Sequence, residues 1–404
     1  MLGYLILLCT IIGLLSCTAF LILLAAALVR LKRRGVPRPW DGPWPRVSLL
    51  KPLHGLEPGL ESNLESFFRQ DYPRYEVIFG CRQESDPALD VVQAICRRYP
   101  KVAVKIVFSG EPERPNAKVC SLERMAEASA SEYLVVSDSD VRVTPQYLRD
   151  VVRPLLQGEV GMVTCLYRGV PSGGLWSRLE ALGMSVEMTA GVVVADLLEG
   201  LKFALGPTMA IRRDVLEDVG GFQVLADYCA DDFVLGQRVF EAGKQVVLSH
   251  YVVDHVALHQ RCLASLQHQV RWMKSTRFSR PKGHVGTGLT FAMPFGLLGL
   301  VAGIAMHDPL LGLALFLYAA LNRMAEALLA GWGVVRDPFA LRYFWLYPAR
   351  DLLGFFLWCA SFFSTSIVWR GERYLLEMGG KMVRQGAPED LAGASETVAV
   401  DELA

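Results

Sequence analysis

Tyr133-Leu134-Val135-Val136-Ser137-Asp138-Ser139-Asp140 decides how the rest of this chain is read. Strand-forming residues run directly into two carboxylates spaced two apart, and Thr144-Pro145 then opens a helix, with Thr144 as N-cap and Pro145 at its first position. A buried strand ending in D-x-D turns both carboxylates toward one point. Hard cations such as Mg2+ or Mn2+ are held by one or two carboxylates plus substrate phosphates, so the pattern suits a metal and diphosphate site, or a plain polar turn.

Outward from this segment, short apolar runs alternate with helical stretches. Residues 47–50, 75–79, 102–108 and 160–166 read as strands, and 60–68, 87–98, 117–128 and 145–156 as helices. That alternation predicts an α/β fold with a Rossmann-like, mainly parallel sheet covered by helices on both faces. Ligands of such sheets bind at the carboxyl ends of the strands, and the residues there are acidic. Asp86 follows the second run, and Asp231-Asp232 opens an amphipathic helix at 233–240. Each has a capping explanation by itself, but carboxylates converging on one sheet edge repel unless a cation or a proton offsets them.

The flanks of this region are apolar. Residues 1–29 carry no charge, and at ~1.5 Å per residue a helix of that length exceeds a ~30 Å hydrocarbon core. With no charged n-region and too long an apolar run for a leader, this predicts a transmembrane helix. Arg30, Lys32, Arg33 and Arg34 follow it, placing the next segment, 45–282, in the cytoplasm as one large domain. Beyond it, 289–306, 309–335 and 352–369 each fit a span, with Arg323 and Glu326 neutralising each other on one helical face. Four spans would leave Arg370, Arg373, Lys381 and Arg384 outside, against the positive-inside tendency, so one of the last two is expected to be re-entrant or interfacial. Residues 385–404 are polar and aperiodic, which predicts a disordered tail.

Composition agrees with a multi-pass membrane protein. The 404 residues include 41 basic and 41 acidic side chains, which removes the excess of positive charge that a nucleic-acid binder needs. Hydrophobic residues make up 52%, with a mean hydropathy of +0.29. Nine cysteines without a C-x-x-C pair fit neither a disulfide framework nor a four-thiolate zinc site, and indicate reduced thiols. His255 and His259 are spaced i, i+4, but without H-E-x-x-H or a fixed third ligand they assign no zinc. Arg271, Lys274 and Arg277 recur every three residues, a basic stripe that reads as a juxtamembrane anchor; Arg271 beside Trp272 also offers a guanidinium for a leaving diphosphate and an indole for a sugar face or a lipid.

Asp86, Asp138 within D-S-D, Asp232 within A-D-D and the His268-x-x-Arg271-Trp272 run together resemble the D, D, D, (Q/R)xxRW signature of the ceramide glucosyltransferase family, inverting membrane glycosyltransferases of the family 2 and family 21 type. The likeness extends through Pro52-Leu53, Asp71-Tyr72-Pro73, Pro115-Asn116-Ala117-Lys118, Gly220-Gly221-Phe222 and Trp369 to Tyr374, in order along nearly the whole chain. Bacterial relatives that glycosylate hopanoid lipids have a similar layout, including a run like Cys165 to Pro171. The resemblance implies a GT-A type fold and a UDP-sugar donor contacted by Asp86, Lys118, Arg271 and Trp272. It also implies a Mg2+ or Mn2+ ion on Asp138 and Asp140, Asp232 as general base, and a membrane lipid hydroxyl as acceptor. Two positions depart from the pattern: His268 replaces Gln or Arg, and Val186 stands where ceramide-type enzymes carry a histidine, which tells against ceramide as acceptor.

The expected function is therefore transfer of glucose or N-acetylglucosamine from a UDP-sugar to a ceramide-like or hopanoid lipid by a multi-pass protein of a bacterial inner membrane. A processive polysaccharide synthase shares the acidic and Arg-Trp elements, and a membrane-anchored nucleotide-sugar-binding protein shares the fold. A dehydrogenase and a P-loop NTPase both lack their glycine motifs. The segment 176–205, rich in small and apolar residues, reads either as a lipid-facing wall or as ordinary core.

Overall fold

Leu49, Leu50, Val77, Ile78, Val135 and Val136 are fully buried, as neighbours on opposite faces of a central strand must be. The computed structural model describes residues 1–34, 40–369 and 371–385. An eight-stranded sheet is built from β1 (Val47–Pro52), β2 (Tyr75–Cys81), β3 (Ala103–Phe108), β4 (Tyr133–Val136), β5 (Val141–Arg142), β6 (Val160–Pro171), β7 (Met209–Arg212) and β8 (Gln245–Ala257), in the order β3-β2-β1-β4-β7-β6-β8-β5. The first four in that order are parallel, as the alternation predicts. β7 then runs antiparallel between β4 and β6, which breaks the parallel run; β6 and β8 are parallel and β5 closes the edge antiparallel to β8. The chain moves from β1 outward to β3 on one side and returns at β4 on the other, so the crevice at the ends of β1 and β4 is the point where the strand order reverses.

The N-terminal helix, Leu2–Arg33, docks on this domain through its basic end: Arg30 Nη1 donates to Asp196 O at 2.9 Å, and Arg34 Nη2 lies 2.7 Å from Asp196 Oδ2. Asp196 belongs to the apolar segment Gly174–Glu199, two thirds of which is buried, with Val192, Val193 and Val194 all inside. Of the two readings of that segment, core therefore describes most of it.

In the C-terminal region, Pro281–Thr287 and Ala292–Ala305 form a helix pair bent by 43°, and Pro309–Val334 is a further helix of 26 residues, long and apolar enough to cross a membrane. Arg323 is buried against Glu326, as expected, and against Asp351 at 3.4 Å, while its Nη1 donates to Thr290 O at 2.7 Å.

The expected span at 352–369 is not one helix. Tyr347–Ala360 has 14 residues, about 21 Å of helix against a ~30 Å core, and the serine-rich turn after it leads into β9 (Ser366–Trp369). With β10 (Glu372–Leu376) and β11 (Met382–Arg384), β9 makes a small antiparallel sheet. That sheet clasps the large domain: Cys229 N donates to Gly380 O at 3.0 Å and Met382 N to Asp227 O at 2.6 Å. Arg373 and Arg384 lie on the strands of this small sheet, and Lys381 lies in the turn between them. The tail expected at 385–404 lies, from residue 386, outside the described residues.

Candidate active site

Asp138 leaves β4 directly. Lys118, in the first turn of the Ala117–Glu127 helix, places Nζ 2.8 Å from Asp138 Oδ1 and 3.5 Å from Asp231 Oδ2. Asn116 caps that helix, its Oδ1 accepting from Val119 N at 3.2 Å, while its Nδ2 donates to Tyr228 O at 2.9 Å. A single side chain thus fixes both the helix carrying Lys118 and the loop leading to Asp231. Gly206 comes between the acidic groups: a Cβ there would stand 3.1 Å from Asp232 Oδ2 and 3.5 Å from Asp138 Oδ2. Asp138, Asp231, Asp232 and Lys118 therefore share one pocket.

Their charges are interdependent. Burial opposes the charge on Lys118, but Asp138 and Asp231 more than offset it and hold the ammonium above its ordinary range. Burial, and then repulsion from Asp231, push the Asp232 carboxyl up to about 6, against the pull of Lys118. Its Oδ1 accepts from Phe233 N at 2.7 Å at the start of the Asp231–Glu241 helix.

Asp140 is paired: its Oδ2 is 3.0 Å from His255 Nε2, and its Oδ1 is buried without a hydrogen-bond donor. Burial raises the Asp140 carboxyl, but His255 and Lys51 outweigh it and leave it below the usual carboxylate range; His255 is raised in return, despite its own burial. His255 sits on β8, not on a helix, so the i, i+4 spacing with His259 brings no ligand pair together. Asp140 Oδ1 is a buried carboxylate oxygen with no donor and Asp231 Oδ2 has only the Lys118 ammonium at 3.5 Å, and hard oxygens with open lone pairs fit a divalent cation.

Asp86 stands at the same sheet edge, where both its oxygens accept from Gly55 N, at 3.0 and 3.1 Å, and Oδ1 also accepts from Ala88 N at 2.9 Å. It holds the turn after β1 as well as capping its own helix, and lone pairs remain for a ligand. Arg271 and Trp272 lie on the Cys262–Ser279 helix. The Arg271 guanidinium is 5.6 Å from the Trp369 ring and, among the described residues, has no carboxylate ion-pair partner; Trp272 packs 4.5 Å from His268. The rest of the basic stripe faces inward: Lys274 Nζ donates to Ser366 O and Arg277 Nη1 to Ser361 O, each at 2.7 Å, so these cations fasten the C-terminal segment and are not free for lipid headgroups.

A family model described as glycosyl transferase family 21 matches residues 8–382. The chain belongs to that family. It is a glycosyltransferase with a mixed α/β, GT-A-like fold. Among characterised relatives it is 24% identical to ceramide glucosyltransferase 1 of Caenorhabditis elegans, across 85% of this chain and 74% of the relative. It is 37% identical to the ceramide glucosyltransferase of Komagataella phaffii, over 24% of this chain and 20% of that one. Among solved structures, the mannosyltransferase PcManGT from Pyrobaculum calidifontis in complex with GDP-Man and Mn2+ matches at 20% identity with a TM-score of 0.47, covering 86% of this chain and 98% of that one.

Within this glycosyltransferase, Lys51 was not among the residues that the sequence singled out. It is the last residue but one of β1, fully buried, with Nζ donating to Asp138 O and lying 3.8 Å from the centre of the Phe67 ring; burial pulls its pKa down to about 7, against Asp138 and Asp140. Its only sequence signal was a charge inside an otherwise apolar strand.

Proposed function

We propose that this protein transfers glucose or N-acetylglucosamine from a UDP-sugar to the hydroxyl of a membrane lipid, with inversion at the anomeric carbon. The observation that carries the reading is the pocket at the ends of β1 and β4, where Asp138 and Asp232 meet at Gly206 and Lys118 bridges Asp138 and Asp231. The glucosyl donor and lipid acceptor follow the relatives named as ceramide glucosyltransferases. In this mechanism Asp232 takes the proton of the acceptor hydroxyl as that oxygen attacks the anomeric carbon. The bond to UDP breaks as the new bond forms, and its electron pair leaves on the diphosphate. Lys118 and Arg271 offset the negative charge that develops there, and Asp86 positions the nucleotide. A Mg2+ or Mn2+ ion held by Asp138 and Asp140 would supply further positive charge at the diphosphate. Trp272 provides an apolar face for the sugar or the acceptor.

The domain at 45–282 is assigned to the cytoplasm, with spans on both sides of it. The Ala292–Ala305 and Pro309–Val334 helices are read as a hairpin through the membrane, supported by the clasp of residues 380–382 on 227–229. The hairpin returns the basic C-terminal residues to the cytoplasm and removes the positive-inside conflict.

The test is incubation of the solubilised protein with labelled UDP-glucose and UDP-N-acetylglucosamine against ceramide, hopanoid and polyprenyl phosphate acceptors, with chromatography of the lipids and determination of the product anomer. Labelled ceramide or hopanoid with inverted configuration is expected. Label confined to polyprenyl phosphate, or absent from every lipid, overturns the proposal.

A further inference from the structure

We propose that Glu180, His259 and His268 form a second metal site, distinct from the carboxylate pocket at Asp138, that takes Zn2+ or a similar first-row transition-metal ion. The three residues come from different elements: the Gly174–Gly183 helix, the loop after β8 and the Cys262–Ser279 helix. One ligand atom from each lies within 4.8 Å of the others. Glu180 is 2% exposed, and among the described residues its only ion-pair partner is His268, whose Nδ1 is 2.8 Å from Oε1. The second oxygen accepts from Ser265 Oγ at 2.6 Å, which fixes the carboxylate, and Gln269 Nε2 donates to that hydroxyl at 3.0 Å. His259 stacks on His268 with ring centres 4.4 Å apart, and its Nδ1 is buried with no hydrogen-bond partner.

A buried carboxylate facing two imidazoles, one with an idle nitrogen, is an incomplete arrangement as a hydrogen-bond network and a complete one as a ligand set. Two histidines and a glutamate are a known donor combination for Zn2+, with bonds of ~2.0–2.2 Å, and tetrahedral ligands then stand about 3.3 Å apart. Side-chain rotation closes the remaining distance, with Glu180 Oε1 exchanging its hydrogen bond for the ion. Imidazole donors favour Zn2+, Ni2+ or Cu2+ over Mg2+, which separates this site chemically from the all-carboxylate pocket. An ion here would join the helix bearing Arg271 and Trp272 to the Gly174–Gly183 helix, and Ser265 would orient its carboxylate ligand from behind.

The full-length protein in detergent, stripped with a chelator and kept in excess Mg2+, is loaded with Zn2+ or Co2+ and desalted. Retention of about one Zn2+ per chain is expected, with the visible ligand-field absorption of four-coordinate Co2+ in the parallel sample. Both signals should vanish in His259→Ala and His268→Gln and persist in Asp138→Asn. His259 Nδ1 has no hydrogen bond to lose, so its alanine variant separates ligation from folding, checked by unchanged elution in gel filtration. No retained Zn2+ in the wild type, or retention unaffected by both histidine substitutions, overturns the proposal.

Discussion

Asp232 concentrates the consequences of burial in one carboxyl group. Because its pKa is pushed up to about 6, it is charged and able to accept a proton above that pH and is neutralised below it. The rate of transfer should therefore fall as pH drops through about 6, by about tenfold per unit in the limit, in a profile of kcat/KM against pH. Asp232→Asn should lower kcat by roughly 100- to 10,000-fold, the usual worth of a general base, while UDP still binds in calorimetry. Wild-type turnover in that variant would remove Asp232 from the mechanism. Gly206→Ala makes a finer demand: its Cβ would stand 3.1 Å from Asp232 Oδ2, so that carboxylate must give way slightly, and kcat should fall by less than the roughly 100-fold that a ~1 Å misplacement costs, with the fold intact by circular dichroism. Asp138, Asp140, Asp86 and Asp232 were legible as candidates because each follows or opens an element that declares itself locally. Lys51 and Gly206 were not, because their meaning lies in contacts with residues that the chain brings close only on folding.

At the level of elements, the Cys262–Ser279 helix organises the site's outer wall. Its cations at 271, 274 and 277 all meet the segment from Ser361 to Trp369: over the Trp369 ring, on Ser366 O and on Ser361 O. Sequence spacing identified the stripe correctly but could not tell a solvent or lipid face from an internal one, since i, i+3 periodicity is the same for both. The run at 352–369, one of the two segments expected to include a re-entrant or interfacial one, is not one helix for a related reason. Counting charges passes over Ser361, Ser364, Thr365 and Ser366, and these hydroxyl groups satisfy a turn and a strand start rather than a helix; Ser366 N donates to Ser364 Oγ at 3.0 Å. Trp369→Ala should release Arg271 from its ring and weaken donor binding, raising KM for the UDP-sugar more than it lowers kcat. An unchanged KM would mean that the aromatic platform has no bearing on the donor.

For the whole molecule, the sheet domain and the apolar ends were foreseeable from periodicity and length, whereas the number of crossings depended on where the C-terminal strands come to rest. Cys229 N donates to Gly380 O and Met382 N to Asp227 O, and on the proposed topology these bonds keep the strands beside the sheet domain. A reporter fused after Gln385 should therefore be found on the same side of the membrane as the sheet domain, and an epitope inserted at His307, between two apolar helices, on the opposite side. Both on one side would refute the hairpin.

The clasp also sets an order of events during synthesis. Asp227 and Cys229, just ahead of Asp231 and Asp232, take backbone partners from residues 382 and 380, more than a hundred positions later. A ribosome still translating the apolar helices has released the turn ahead of Asp231 without that support. The clasp thus closes only after the apolar helices have been made, so a chain that stalls before residue 380 leaves this turn unclasped.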